Sequence, residues 1–223
     1  MTFDACVSPS AGGDPVAPSG SLERPRPSPD GEAVWLEPLR ARHAAPYRTL
    51  FHGDPYLARL VALPRLRDRR ATAAWIRKGA RDYGFEPFAV VHEARGFVGA
   101  AALVGHGGIG NFWFWIGAEH RGRGFGSRAL EHLEHTARER HGLDGLVAFV
   151  RAVNLPSRRT LQRRGFRDTG LPLLPRRNSI LAYADPSLFG RPDLPAAIAA
   201  MLAAVDSPIG LADEGASAVE VPR

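Results

Sequence analysis

The chain has 223 residues, with 29 Lys or Arg against 23 Asp or Glu and a formal net charge of +6. This length suits one ordinary domain whose core needs no metal or disulfide staple. The single cysteine, Cys6, excludes an intramolecular disulfide and favours a reducing compartment. The longest apolar run, Leu194 to Val205, is too short to span a bilayer, and no signal-peptide pattern precedes the domain. We therefore expect a soluble cytoplasmic protein with no membrane partner.

Almost all of the positive charge is arginine, since Lys78 is the only lysine in the sequence. Such a charge balance is compatible with an RNA or ribosome contact. The arginines are spread along the chain rather than clustered, however, and a GC-rich genome would produce the same composition by codon usage. A nucleic-acid partner therefore stays open but is not required.

Composition divides the chain into three parts. Residues 1–32 are rich in Pro, Gly and Ser, which predicts a disordered leader. Residues 33–185 carry the apolar patterns of one folded domain. Residues 186–223 form a Pro- and Ala-rich tail with a possible helix at 194–205, capped by Asp193. A helix this short and Ala-rich is marginal unless it packs on something.

The first half of the domain reads as one strand, two helices and a meander. A strand from Val34 to Leu39 precedes a helix ending near Phe51, and a second helix closes at Gly84. Between residues 87 and 118, three apolar runs rich in Val and aromatics are separated by residues 93–95 and 105–110. This pattern predicts three antiparallel strands.

The second half alternates helices and strands. A helix with Leu130, Leu133 and Ala137 on one face ends near Gly142. The apolar run at residues 145–153 predicts a buried strand, "SRRTLQRRG" a helix, and "FRDTG" and "SILAYA" a final pair of strands. The order of elements predicts an α+β (mixed α/β) fold.

A glycine-rich turn, "RGRGFGS", lies between the third meander strand and the following helix. Gly122, Gly124 and Gly126 would let an anion approach the backbone, where free N–H groups and the helix dipole favour phosphate. Arg121 and Arg123 would add positive charge. The turn lacks the Gly-Lys-Ser/Thr of a P-loop. It matches a dinucleotide fingerprint formally, but that motif opens a parallel βαβ unit, so this interpretation ranks second.

Two motifs together resemble the GNAT N-acetyltransferase superfamily. Residues 121–126 match its Arg-x-x-Gly-x-Gly signature, and "NLPSRRTLQRRGF", residues 154–166, is similar to its Asn-x-x-Ser, seven residues, Gly-Phe pattern. "EPLR", "WIRKG" and "FAVV" look most like the branch that acetylates the N-terminal alanine or serine of ribosomal proteins. The resemblance implies a mostly antiparallel twisted sheet of about six to seven strands with splayed central strands and helices on both faces.

The resemblance also implies acetyl-CoA as cosubstrate, with no metal. The diphosphate would meet the N–H groups of residues 122–127, and the thioester carbonyl a backbone N–H near Trp115 or Ile116, which would stabilise the oxyanion. The implied acetyl-CoA-binding residues are Trp115, Ile116, Gly117, Arg121, Gly122, Arg123, Gly124, Phe125, Gly126, Ser127, Asn154 and Ser157.

The candidate catalytic residues are Ser157, Asn111 and His106. Ser157 matches the family residue facing the CoA sulfur, although it could simply cap the next helix. Asn111 and Leu161 stand where many relatives carry a glutamate and a tyrosine, and neither side chain titrates usefully. His106 has a suitable reference pKa of about 6.5, but a solvent-exposed turn histidine is the commoner case.

These residues predict an N-acetyltransferase that moves an acetyl group to a primary amine, a protein N-terminus or a small molecule, by direct attack in a ternary complex. Without a strong base, an α-amine or another weakly basic amine suits the site better than a lysine. The alternative is a non-catalytic module that binds or senses acyl-CoA. The choice between an acetyl and a longer acyl donor, and between a monomer and a homodimer, stays open.

Overall fold

The computed structural model describes residues 32–60, 66–82, 85–171, 173–174, 180–204 and 210–211. The predictions for the leader up to residue 31, for Cys6, for a helix end at Gly84 and for the tail beyond residue 211 lie outside the described residues.

The described part of the chain alternates strands and helices, as the sequence pattern predicts. The strands are β1 Val34–Pro38, β2 Glu86–His92, β3 Gly96–His106, β4 Ile109–Ile116, β5 Gly145–Arg151, β6 Arg167–Asp168, β7 Leu173–Leu174, β8 Ile180–Ala184 and β9 Gly210–Leu211. The helices are α1 Ala44–His52, α2 Pro55–Leu60, α3 Arg69–Asp82, α4 Phe125–His141, α5 Leu155–Arg163 and α6 Leu194–Ala204.

Seven of the strands form one open sheet in the order β1-β2-β3-β4-β5-β8-β6. All neighbours pair antiparallel except β4 and β5, which are parallel. The predicted α+β class and mostly antiparallel sheet are therefore confirmed. The short strands β7 and β9 pair separately.

The parallel pair at the centre of the sheet separates after three residues. Ile109 to Asn111 pair with Gly145 to Val147, and no pairing follows. Beyond that point β4 stays paired with β3 as far as Ile116, while β5 pairs with β8 as far as Arg151. The two strands therefore splay apart toward their C-terminal ends, where the chain enters α4 and α5.

Helices cover both faces of the sheet. On one face, Leu130 and Leu133 of α4 and Leu161 of α5 are buried in a core with Phe112 and Phe166. On the other face, α1 and α3 cover an aromatic cluster of the residues Tyr47, Phe51, Phe97, Trp115 and the partly buried Trp75. Because side chains alternate along a strand, β4 supplies even-numbered residues to the first core and odd-numbered residues to the second.

Helix α6 belongs to the packed unit. Leu194, Ile198, Met201 and Leu202 are buried, a spacing that places them on one face of the helix. They pack in one cluster with residues of β4 and β5. The apolar face of α6, which follows the boundary that composition suggests at residue 185, is thus buried against the sheet, and the boundary itself stays a prediction. None of the helices in the described residues is long and apolar enough to cross a membrane.

Candidate functional site

The turn from β4 into α4 takes its shape from glycines. Gly122 and Gly124 have φ angles of 75° and 79°, a left-handed conformation that other residues adopt at a cost. A β-carbon at either position would meet nothing within 4 Å, so conformation is what requires glycine there. Gly126 differs, because a β-carbon would lie 3.2 Å from Cε2 of Phe114. Gly126 therefore allows α4 to approach β4 closely.

The backbone amides of this turn have no acceptor among the described residues. Among the described residues, no N–H from Gly122 through Ser127 donates a hydrogen bond, and bonding resumes with Arg128 N–H to Gly124 O at 3.1 Å. Gly124 is the N-cap of α4 and offers no side-chain cap. A helix start leaves several N–H groups in need of an acceptor. This run of free amides is therefore suited to an anion with several oxygens.

The charges around the turn also favour an anionic ligand. The first turn of α4 has no acidic residue to complement the helix dipole. Arg123 is exposed, and within the described ranges it forms no ion pair. Positive charge thus gathers at the N-terminal end of the helix, where an anionic ligand would be stabilised.

Arg121 has a different position from the one the motif suggests. Its Nε donates to Ile116 O at 3.0 Å, its Nη2 donates to Asp54 Oδ2, and its guanidinium lies 5.5 Å from the ring centre of Tyr56. Its backbone N–H donates to Ala118 O at 3.3 Å. The guanidinium and the amide of Arg121 are thus both engaged within the protein, and the unbonded amides begin at Gly122.

The hydrogen-bond pattern of β4 indicates which of its backbone amides could donate to the thioester carbonyl. Gly117 N–H donates to Val98 O at 3.0 Å, so the amide of Gly117 is occupied. Bonds in an antiparallel ladder alternate, so the N–H of Trp115 also faces β3. The amides of Phe114 and Ile116 point to the other side, where β5 diverges. The sequence proposes the amide of Trp115 or of Ile116 as the donor to the thioester carbonyl. The ladder favours Ile116 and makes Phe114 a second candidate donor.

Trp115 therefore contributes to the core rather than to the gap. Its side chain is buried, with its ring centre 5.1 Å from that of Tyr47 and 5.4 Å from that of Phe51. The amide and the side chain of Trp115 both face away from the diverging strands, so its contact with acetyl-CoA stays a prediction that the geometry does not favour.

The turn from β5 into α5 is capped by Asn154. Its Oδ1 accepts the N–H of Ser157 at 3.3 Å, and the helix begins at Leu155. Ser157 thus lies in the first turn and is not the cap, which removes the structural alternative for this residue. Its half-buried hydroxyl makes no hydrogen bond within the described residues. Its role as proton donor stays a prediction.

The two other candidate catalytic residues lie at different levels of the sheet. Asn111 is the last residue of β4 that pairs with β5, at the vertex of the splay. His106 pairs with Ile109 at the closed end, beyond the paired segment. With a rise of about 3.3 Å per residue, Ile109 is roughly 23 Å along the strand from Ile116. His106 thus lies at the opposite end of β4 from the glycine turn, and its role as general base stays a prediction.

Leu161 is 1% exposed and packs in the core on α4. A buried leucine at this position cannot donate or accept a proton. Within the described ranges, no group of three His, Cys, Asp or Glu side chains is placed to hold a metal ion.

His120, just before the glycine turn, was not indicated by the sequence. Its side chain is 10% exposed, and its Nε2 lies 3.2 Å from Glu119 Oε1. Among the described residues its buried Nδ1 has no hydrogen-bond partner. Burial lowers the pKa of His120, and nearby Arg95 and Arg123 lower it further, against the opposing effect of Glu119. His120 is thus favoured in its neutral form beside the anion site.

Known structures share this fold. RimJ of Mycobacterium smegmatis, in complex with CoA-disulfide, is 24% identical over 89% of this chain and 97% of its own, with a TM-score of 0.61. RimL, the ribosomal L7/L12 α-N-protein acetyltransferase in complex with coenzyme A, is 16% identical over 68% of this chain and 93% of its own (TM-score 0.58). The dodecameric spermidine N-acetyltransferase of Vibrio cholerae is 14% identical over 70% of this chain and 94% of its own (TM-score 0.55).

No curated protein shows significant sequence similarity to the chain. Residues 33–167, by contrast, match the acetyltransferase (GNAT) domain family, and this match includes β1 to β5, the glycine turn and the Asn154 cap. The chain therefore belongs to the GNAT acetyltransferase domain family.

Proposed function

We propose that this protein transfers an acetyl group from acetyl-CoA to a primary amine, with both substrates bound at once. The observation that carries the proposal is the run of amides from Gly122 to Ser127 with no acceptor among the described residues, at the end of the strand that diverges from β5. A diphosphate supplies several acceptor oxygens for such amides. The pantetheine arm would then extend along the gap between β4 and β5.

The backbone of β4 suits the reacting carbonyl. The N–H groups of Phe114 and Ile116 point to the gap side, and either one would donate to the thioester oxygen of acetyl-CoA. That donor would strengthen its bond as negative charge develops on the oxygen during attack. Much of the rate enhancement would come from holding the amine and the thioester in reach of each other.

The transfer itself needs two proton movements. The neutral amine nitrogen attacks the carbonyl carbon, the C–N bond forms, and the nitrogen loses a proton to solvent water. The C–S bond then breaks, and the sulfur leaves as thiolate or takes a proton. The hydroxyl of Ser157, which makes no hydrogen bond within the described residues, is our candidate donor to the sulfur.

The acceptor that fits best is an α-amino group. Asn111 at the vertex of the splay and Leu161 in the core cannot remove a proton. An α-amine has a pKa of about 7.7 to 8.0 and is substantially neutral near pH 7.4, whereas lysine, at about 10.4, is neutral about one time in a thousand. RimL, by its description, acts on an α-amine, which is in keeping with this proposal.

The experiment is an acceptor panel with acetyl-CoA, followed by thiol release and by mass. The panel pairs peptides that start with Ser or Ala with the same peptides blocked at the N-terminus and carrying one lysine, and adds spermidine. We expect an added acetyl group on the free N-termini and a peptide-to-lysine rate ratio that falls as pH rises. Faster lysine acetylation at neutral pH would overturn the choice of an α-amine.

A second candidate function is a module that binds acyl-CoA without turnover. It stays open because Asn111 and Leu161 stand where many relatives carry a glutamate and a tyrosine. The same panel separates the two functions. Tight CoA binding in calorimetry, with no thiol release on any amine, would establish the module and reject the enzyme.

A further inference from the structure

A buried carboxylate far away in sequence contacts the glycine turn. Asp54 lies between α1 and α2, 67 residues before Arg121, and is 5% exposed. Its Oδ1 accepts the N–H groups of Tyr56 at 2.9 Å and Leu57 at 3.3 Å, which caps α2. Its Oδ2 accepts the hydrogen bond from Arg121 Nη2. One carboxylate thus joins the first turn of α2 to the start of the turn that leads into α4.

Arg121 extends this connection to the end of β4. Its Nε donates to Ile116 O at 3.0 Å, and the other end of the same peptide group, Gly117 N–H, donates to Val98 O at 3.0 Å. The peptide between Ile116 and Gly117 is therefore held from both sides. The planar guanidinium of Arg121 bonds Ile116 O through Nε and Asp54 Oδ2 through Nη2 at once, because its donors have a fixed geometry.

The ring of Tyr56 completes the arrangement. It lies 5.5 Å from the guanidinium carbon of Arg121, a cation–π distance. The arginine side chain is 34% exposed, whereas that of Asp54 is 6% exposed. The carboxylate is therefore the desolvated partner, and Arg121 is the group that compensates its charge.

We propose that Asp54 and Arg121 form a brace that holds the end of β4 and the glycine turn in the geometry that binds acetyl-CoA. Asp54 is then a positioning residue, which acts through Arg121 and touches no substrate. The Arg121 guanidinium serves the brace and leaves phosphate contact to the backbone amides and Arg123. This inference rests on the proposed function, since it assigns a role in donor binding.

The first test is Asp54→Asn. The amide oxygen of asparagine still accepts the two N–H groups of α2, but its NH₂ group faces Arg121 and breaks the contact. We expect KM for acetyl-CoA and the calorimetric Kd for CoA to rise about tenfold, with kcat within about twofold, because the turn loses its position. The matched control is Asp68→Asn, since Asp68 caps α3 through Ala71 N–H at 2.7 Å and forms no ion pair among the described residues. It should leave both constants unchanged.

Two further variants separate positioning from general loss of structure. Arg121→Lys keeps the charge but cannot make both bonds, so we expect an intermediate KM. The double variant Asp54→Asn with Arg121→Gln should bind CoA no more weakly than Arg121→Gln alone, because the pair acts as one unit. Urea unfolding of every variant identifies any that is folded too weakly for the assay.

The outcomes are distinct. If the unmodified protein binds CoA and Asp54→Asn binds it equally well, the brace is rejected and the proposed function stands. If Asp54→Asn lowers stability alone, with KM unchanged, the contact is structural and the inference is again rejected. An unmodified protein with no CoA affinity overturns both.

Discussion

Two turns carry the chain from a splayed central strand into a helix, and they treat the helix start in opposite ways. At the start of α4, Gly124 has a left-handed backbone and no side-chain cap, and the amides through Ser127 have no acceptor in the part of the chain that the structure describes. At the start of α5, the side chain of Asn154 accepts the N–H of Ser157. Glycine thus leaves one helix start without a side-chain acceptor, whereas asparagine supplies an acceptor within the protein at the other.

The open turn carries a stability cost that the closed turn avoids. Glycine in place of a side-chain cap costs only about a few tenths of a kcal/mol, but it leaves the amides of the helix start to water. A ligand that binds only the folded state recovers stability by mass action, about 2.7 kcal/mol at a concentration of 100 times its Kd. CoA should therefore stabilise the protein through the α4 turn and not through the α5 turn.

The largest effect is expected from Gly124→Asp, which would give the start of α4 a side-chain acceptor. The new carboxylate would compete for the free amides and would repel a diphosphate by about 4 kcal/mol at 4 Å and an effective dielectric constant of 20. We expect CoA binding to weaken about a thousandfold, and CoA to stop raising the midpoint of thermal unfolding. Calorimetry and thermal unfolding with and without CoA measure both effects.

The matched control is Gly142→Asp at the other end of the same helix. Gly142 also has a positive φ, 58°, and a β-carbon there would meet nothing within 4 Å. The backbone strain of the two substitutions is thus comparable, but only one is at the anion site. Equal CoA affinities for the two variants would show that the α4 turn holds no diphosphate.

The second prediction concerns the hydroxyl in the closed turn. Because Asn154 and not Ser157 is the cap, Ser157→Ala should leave the free energy of unfolding nearly unchanged. If the hydroxyl donates a proton to the sulfur, kcat should fall about a hundredfold while KM for acetyl-CoA stays constant. Steady-state kinetics and urea unfolding test this. A loss of stability with kcat retained would return Ser157 to a structural role.

Local signals in the sequence account for most of the fold. The period-2 runs of β2 to β4 and the apolar face of α4 with its end at Gly142 all depend on residues close in sequence. The glycine cluster at 105–110 was assigned too widely to a turn, because only Gly107 and Gly108 lie between β3 and β4. The short helix α2 and the pair β7–β9 were missed, since they carry too few residues for a periodic pattern.

Local sequence signals likewise account for only part of the candidate site. The glycine turn and the Asn154 to Ser157 segment were found because each is one contiguous motif. The sequence could not show that Arg121 bonds to Asp54, since that contact joins residues 67 apart. Nor could it tell which amides of β4 face the gap, because that depends on the register with β3. The first point depends on a long-range side-chain contact and the second on strand register, and residue type alone determines neither.

A smaller effect on CoA affinity is expected from the charge of Arg123 at the α4 turn. Arg123 is exposed and forms no ion pair within the described residues, so Arg123→Gln removes one solvent-screened charge near the phosphates. Such a contact contributes about 1 kcal/mol, so we expect CoA to bind about fivefold more weakly at low salt. The difference should shrink as salt rises toward 1 M. A salt-independent loss would indicate that Arg123 acts through the shape of the turn.

The smallest effect on binding should come from opening the closed turn. Asn154→Ala removes the acceptor of the Ser157 N–H and should lower the free energy of unfolding by about 1 kcal/mol. Asn154→Asp keeps an acceptor oxygen and should recover most of that loss. CoA affinity should change little in both variants, because the amide that Asn154 satisfies belongs to α5 and not to the diphosphate site. Urea unfolding and calorimetry on the same samples test the two halves separately. A large loss of CoA affinity in Asn154→Ala with stability unchanged would mean that both turns hold the ligand, and that the side chain of Asn154 is a contact rather than a cap.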